Sequence, residues 1–162
     1  MPPLKIPSRI LAVCMGNICR SPTVEVVLRK LAINANLAIE VDSAGTADYH
    51  VGDPPDPRSI QTARKRGYDL SGLRARQVEL NDFQTFDLIF AADSQNLAAL
   101  NQICPPQLKH KLSLFLDGIP LPDPYYGEDQ QFENVLDLVE KRATELVRAW
   151  KTLSAPNKLV ED

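Results

Sequence analysis

The sequence predicts an α/β protein: a four-stranded parallel β-sheet with helices on both faces. Three observations lead there. Short apolar runs recur along the chain, four of them strand candidates, as a buried parallel sheet requires. Longer stretches with helical periodicity separate them. The length, 162 residues, fits one domain that can bury a core without covalent staples. No internal repeat, low-complexity tract or linker interrupts the pattern, so residues 1–162 are read as a single domain with short flexible ends.

The first strand is Arg9-Ile10-Leu11-Ala12-Val13-Cys14, short and almost wholly apolar. Met15-Gly16-Asn17-Ile18 breaks it as a turn would. Ser21-Pro22 has the form of a helix start, with Ser as N-cap and Pro at the first helical position. Val24, Val27, Leu28, Leu31 and Ala32 make the apolar stripe of the helix that follows. Residues 38–42 are the second strand. Residues 45–57 are loop, punctuated by Gly45, Gly52, Pro54, Pro55 and Pro57. A short helix from Pro57 to Arg66 ends near Gly67. Residues 86–92 are a third, buried strand. A helix over 94–100 follows, which Pro105 would end. Residues 112–116 form the fourth strand and 117–127 a loop. A long last helix starts near Asp129, with Phe132, Val135, Leu136, Val139, Ala143, Leu146, Val147 and Trp150 as its stripe.

Composition sets bounds on function. Hydrophobic residues make up 44% and charged residues 24%, ordinary for a water-soluble domain. No apolar run approaches the roughly 20 residues that span a bilayer. Met1 to Pro7 lack the apolar stretch of an export signal, so a cytoplasmic protein is expected. A net charge of −3 argues against a general nucleic-acid binder. Three cysteines, Cys14, Cys19 and Cys104, do not make a disulfide framework. Cys14 and Cys19 have no second Cys or His pair to complete a zinc site, so no metal is expected.

Ligands of open parallel sheets bind beyond the carboxyl ends of the strands, and Cys14 ends the first one. The run Cys14-Met15-Gly16-Asn17-Ile18-Cys19-Arg20-Ser21 joins that strand to a helix start. A loop so placed can turn successive N–H groups inward as an anion nest, and the helix N-terminus adds unpaired donors and partial positive charge. Gly16 would supply the twist of a tight cradle. Asn17 tolerates a left-handed conformation and can pin the loop. Arg20 offers a planar fork for two phosphate oxygens. A helix N-terminus and a nearby Arg favour a cysteine thiolate, which would let Cys14 attack phosphorus; Ser21 would donate a hydrogen bond to it. The Cys-x5-Arg spacing alone arises by chance roughly one time in five at this composition. The context carries the reading: strand before, Gly and Asn within, helix after.

Displacing an alkoxide or phenolate calls for an acid. Asp123, in Leu121-Pro122-Asp123-Pro124-Tyr125-Tyr126-Gly127, sits in a stiff loop after the fourth strand and is the candidate; an ordinary turn Asp is the competing reading. Tyr125 and Tyr126 either wall a pocket for an aromatic substrate or anchor their loop. Tyr49 and His50 have the same two readings. Arg58, Arg64, Lys65, Arg66, Arg74 and Arg76 are read as a solvated basic face.

The run from Val13 to Pro22 closely resembles the active-site loop of low-molecular-weight protein tyrosine phosphatases. Residues 43–46, 50–58 and 123–127 resemble further motifs of that family in the expected order. The resemblance extends from about residue 8 to about 153. It implies a flavodoxin-like α/β fold, hydrolysis of phosphotyrosine in protein substrates through a phosphocysteine at Cys14, and Asp123 as general acid. It implies phosphate held by Met15, Gly16, Asn17, Ile18, Cys19 and Arg20, and neither metal nor cofactor. Asn17 and Ser21 match positions that shape the loop and assist the thiolate, and Glu25 matches a polar partner of that network. Cys19 matches a cysteine that forms a reversible disulfide with the nucleophile. Ile18, Tyr49, Tyr125 and Tyr126 fall along the substrate cleft, and the tyrosine pair matches one phosphorylated in some members. A monomer or weak dimer is expected. Leu73 departs from the pattern: many members carry there a His that bonds to the loop Asn and the helix Glu, and an alkyl chain can make neither bond. Arsenate reduction on the same fold would need further cysteines, with only Cys104 to spare. Phosphoarginine-specific relatives tend to have Thr where Ile18 stands. A phosphate-sensing module without turnover is disfavoured by Cys14, Arg20 and Asp123 together.

Overall fold

The computed structural model describes residues 5–154, so parts of the expected flexible ends lie outside the described residues. The four strands are β1 (Arg9–Cys14), β2 (Glu40–Gly45), β3 (Leu88–Ala91) and β4 (Leu112–Leu114). All pair in parallel, in the order β2-β1-β3-β4. Successive side chains of β1 point to opposite faces. Ile10, Ala12 and Cys14 enter a core shared with α1 (Arg20–Asn34), α2 (Pro57–Lys65) and α5 (Asp129–Ser154). Leu11 and Val13 enter a second core with Phe83 of α3 (Leu80–Thr85) and Leu100 of α4 (Ser94–Ile103). Burial on both faces is why β1 is apolar at almost every position.

Helix boundaries follow local chemistry. Asp56 caps α2, accepting from Arg58 N–H at 2.8 Å, and Gly67 lies just beyond with φ +86°. All eight residues of the expected α5 stripe are buried, Trp150 completely. Removing such an aromatic from a core costs about 3–5 kcal/mol.

Several elements differ from expectation. β2 runs from 40 to 45 rather than 38 to 42, because in-register pairing with β1 carries it through Ser43 and Gly45, residues poor in intrinsic strand propensity. β3 is shorter than 86–92, since Phe86 closes α3, an unanticipated helix with a Glu79/Asp82 capping box. β4 stops at Leu114, and a 3-10 turn at Pro106–Lys111 precedes it. α1 begins at Arg20 with Cys19 at the cap position and no side-chain cap bond. Ser21 is therefore not the N-cap, and Pro22 is not the first helical residue.

The strand order places the site. From β1 the chain goes first to β2 on one side, then to β3 on the other. The crevice at that reversal lies between the carboxyl ends of β1 and β3. Cys14 ends β1, Asp93 follows β3, and the loop after β4 carries Asp123.

Candidate active site

The loop after β1 is held from outside by its carbonyls. Cys14 C=O accepts from Thr46 N–H at 2.9 Å, Met15 C=O from Ala47 N–H at 3.0 Å, and Ile18 C=O from Asp56 N–H at 2.8 Å. With those carbonyls turned outward, the N–H groups of Gly16, Asn17, Ile18 and Cys19 have no protein acceptor among the described residues. That is the geometry of an anion nest at a helix N-terminus. Asn17 takes the left-handed turn, φ +58°. Gly16 does not have a positive φ, which corrects its expected role: it is small to leave room, since a Cβ there would stand 3.0 Å from His50 Cδ2. At Gly45 a Cβ would lie 2.6 Å from Met15 O, so the end of β2 abuts the loop backbone.

A buried chain of hydrogen bonds fixes every proton behind the loop. Arg76 N–H donates to Asn17 Oδ1 at 3.0 Å. A backbone N–H can only donate, so the Asn17 amide has one orientation. Its Nδ2 therefore donates to Ser21 Oγ at 2.8 Å and to Ser43 Oγ at 2.9 Å. Ser43 spends its own proton on Glu25 Oε1 at 2.6 Å. Ser21, accepting from Asn17, keeps its proton for Cys14 Sγ, 3.0 Å away. Burial pushes the Glu25 carboxyl above its ordinary range, against the hydrogen bonds from Ser43 and Arg29. Leu73, where a bracing His was missing, is half-buried and packs on the main core. Ser43 and the Arg76 backbone brace Asn17 instead.

Arg20 is 3% exposed. Its Nη1 donates to Asp93 Oδ2 at 2.8 Å and to Leu121 O at 2.9 Å. Asp93 meanwhile caps α4 through Asn96 N–H at 2.8 Å. Arg20 Nη2 lies 3.8 Å from Asp123 Oδ2. Asp123 is about half exposed, and its Oδ1 accepts from Tyr125 N–H at 3.1 Å. Burial pushes the Cys19 thiol up to about 12, with Asp56 adding to the effect, so Cys19 stays protonated near neutral pH.

These groups surround one pocket of about 370 Å³. Buried Cys14, Cys19 and Arg20 line it, together with Met15, Gly16, Ile18, Tyr49, His50, Asp123, Tyr125 and Tyr126. Tyr126 is 93% exposed and packs edge-on against Tyr125, with centroids 4.9 Å apart. Of the anticipated site residues, Asn17 and Ser21 do not line the pocket; both work from behind it. Sequence reasoning missed Asp93 and the Leu121 carbonyl as holders of Arg20, and the Arg76 backbone as holder of Asn17. Asp93 is a residue type that caps helices, as it does α4, but nothing local to it points to Arg20. Half of the basic stretch is not a free face: Arg58 pairs with Asp56, Arg66 with Glu133, Asp137 and Glu140, and Arg76 with Asp42 and Asp82, whereas Arg64, Lys65 and Arg74 are exposed.

A thiol over an anion nest, a buried guanidinium and a carboxyl group across the same pocket are the equipment of a cysteine-dependent phosphate-ester hydrolase. Comparison with known proteins narrows the class. The family model described as low molecular weight phosphotyrosine protein phosphatase matches residues 9–158. The human low molecular weight phosphotyrosine protein phosphatase is 41% identical over 135 residues, covering 78% of this chain and 85% of its own. The crystal structure of a protein tyrosine phosphatase from Entamoeba histolytica superposes with a TM-score of 0.85 at 36% identity, covering 91% of this chain and 99% of that one. Wzb of Vibrio vulnificus, solved in complex with benzylphosphonate, gives a TM-score of 0.80 at 32% identity over 88% and 98% of the two chains. The chain belongs to the low molecular weight phosphotyrosine protein phosphatase family.

Proposed function

We propose that this protein hydrolyses phosphotyrosine in protein substrates, and aryl phosphates generally, through a phosphocysteine formed at Cys14. One observation carries the reading: Cys14, Arg20 and Asp123 line the same pocket. The phosphoryl group sits in the nest of residues 15–20, with two of its oxygens on the Arg20 fork. The Cys14 thiolate attacks phosphorus, the ester P–O bond breaks, and Asp123 gives its proton to the departing phenolate. The Asp123 carboxylate then takes a proton from water, whose oxygen attacks phosphorus as the S–P bond breaks. The electron pair returns to sulfur, where the Ser21 hydroxyl supports it. Ile18 and the aromatic wall of Tyr49, Tyr125 and Tyr126 suit a phenyl ring. The benzylphosphonate held by Vibrio vulnificus Wzb has the same combination of ring and phosphoryl oxygens.

The test is Cys14→Ser assayed on p-nitrophenyl phosphate and on a phosphotyrosine peptide. Turnover should vanish; substantial residual hydrolysis would overturn the nucleophile. Asp123→Asn should slow phenyl phosphate more than p-nitrophenyl phosphate.

The same pocket supports redox sensitivity, since Cys19 and Cys14 both line it. Mild peroxide should inactivate the enzyme with a Cys14–Cys19 link visible by peptide mass, and a thiol should restore it; sulfonic acid at Cys14 alone would reject protection by Cys19. Cys14, Cys19 and Cys104 are all unpaired, which suits a reducing compartment such as the cytoplasm. No helix among the described residues is long and apolar enough to cross a membrane.

A further inference from the structure

The loop that carries Asp123 is tied at its two ends in different ways. At its start, Leu121 N–H donates to Ala92 O at 2.8 Å and Leu121 C=O accepts from Arg20, so this end is an extension of the sheet. Beyond it, the bonds Tyr125 N–H to Asp123 and Gly127 N–H to Pro124 C=O are internal to the loop. Among the described residues, the hydrogen bonds from 122–127 to any other element all come from one side chain. Arg58 Nη2 donates to Tyr125 O at 2.9 Å and Arg58 Nη1 to Gly127 O at 3.2 Å.

Arg58 is itself held on three sides. Its Nε and Nη2 reach the two oxygens of Asp56 at 3.0 and 2.9 Å. Its guanidinium carbon lies 4.5 Å from the Phe132 ring centroid on α5 and 5.7 Å from that of Tyr125, a cation–π placement on both. Burial works against the Asp56 charge, yet the bonds from Arg58 hold its carboxyl below the usual range. The Asp56 backbone N–H holds the phosphate loop at Ile18 C=O. A continuous path therefore runs from Ile18 through Asp56 and Arg58 to Tyr125 and Gly127. A planar fork with five donors can bridge one carboxylate and two carbonyls at once; a lysine cannot.

We propose that Arg58 is a positioning residue that registers the Asp123 loop against the phosphate loop, so that the acid stands over the leaving oxygen. This rests on Asp123 as the proton donor. Arg58 touches neither phosphate nor leaving group; it acts through Asp123. A misplacement of about 1 Å costs up to about 100-fold in such steps, and the loss falls where protonation matters. Nitrophenolate leaves readily as an anion, whereas phenolate requires a proton.

The experiment compares kcat and KM for p-nitrophenyl phosphate and phenyl phosphate in the wild type, Asp123→Asn, Arg58→Ala, Arg58→Lys and the Arg58→Ala/Asp123→Asn pair. Arg58→Ala should lose about tenfold more kcat on phenyl phosphate than on p-nitrophenyl phosphate, with inhibition by inorganic phosphate unchanged. Arg58→Lys should show the same selectivity to a smaller degree, and it carries the comparison if the alanine variant fails to fold. The pair should be no slower on phenyl phosphate than Asp123→Asn alone. Equal losses on both substrates, or multiplying losses in the pair, overturn the positioning role while leaving the acid in place. Asp123→Asn without leaving-group dependence overturns the acid itself, and Arg58 with it.

Discussion

Replacing Ser21 by Ala removes a hydroxyl whose proton has one available destination. Asn17 Nδ2 occupies the oxygen at 2.8 Å, and Cys14 Sγ lies 3.0 Å away. A hydrogen bond to an ion contributes about 1.5–3 kcal/mol, and each 1.36 kcal/mol is a factor of ten in rate. Sulfur carries negative charge when it attacks, so losing the bond removes support from the attacking sulfur but leaves it more nucleophilic. These effects partly cancel in the first step. In the second step charge develops on sulfur as the S–P bond breaks, and nothing offsets the loss. Hydrolysis of the phosphocysteine should slow by about 10–150-fold, while its formation changes much less. Stopped-flow release of p-nitrophenolate reads both: the variant should give a burst near one equivalent, then a slow steady state. Stability should fall by only about 1 kcal/mol, because Asn17 keeps Ser43 and the Arg76 N–H as partners. A variant with wild-type steady state and no burst would refute the account of Ser21.

Gly45→Ala places a Cβ where Met15 O stands, so the phosphate loop must move. Inorganic phosphate should inhibit this variant at least several-fold more weakly and the protein should lose about 1–3 kcal/mol of stability; an unchanged inhibition constant would show the loop yields freely there. Glu25→Gln removes a carboxyl whose folded value lies above the ordinary 4.5. A raised value means the folded state holds the proton more tightly, so this stability is complete below about 4.5 and is lost as pH rises through the folded value. Thermal melts of wild type and variant should show the wild type losing ground as pH climbs from about 4 to 7. The variant carries a constant penalty, because its amide would face a donor from Ser43 or Arg29. A difference that is flat or grows in the wild type's favour would sink the assignment.

Where chemistry and local pattern coincide, the sequence could be read directly. β1, the left-handed Asn17 and the α5 stripe each follow from a signal within a few residues. Ser21 shows the opposite case. Ser-Pro at a helix start signals a cap, but the hydroxyl serves a thiol seven residues back, which depends on how the loop closes. Asp93 reaches Arg20 across 73 residues, a contact that exists only because β3 lies beside β1. The missing His at Leu73 suggested a weak brace because the substitute is a backbone N–H. Arg76 arrives there because residues 76–78 bond to Gly45 at the end of β2, and a main-chain donor has no residue type to read. α3 escaped notice because six residues with a Glu/Asp capping box carry little periodicity.

The reacting groups and their holders come from the ends of β1, β3 and the strap after β4, three neighbours in one ladder. Backbone pairing at about 4.8 Å per strand sets the spacing of Cys14, Asp93 and Leu121, which the Leu121 N–H bond to Ala92 O ties to the sheet. The segment bearing Tyr49 and His50 belongs to no strand and lines only the rim. Chemistry and recognition are therefore separable units of inheritance. Side chains at 48, 49 and 51 can change to admit a different phosphoprotein while the backbone N–H groups of Thr46 and Ala47 keep the phosphate loop in place.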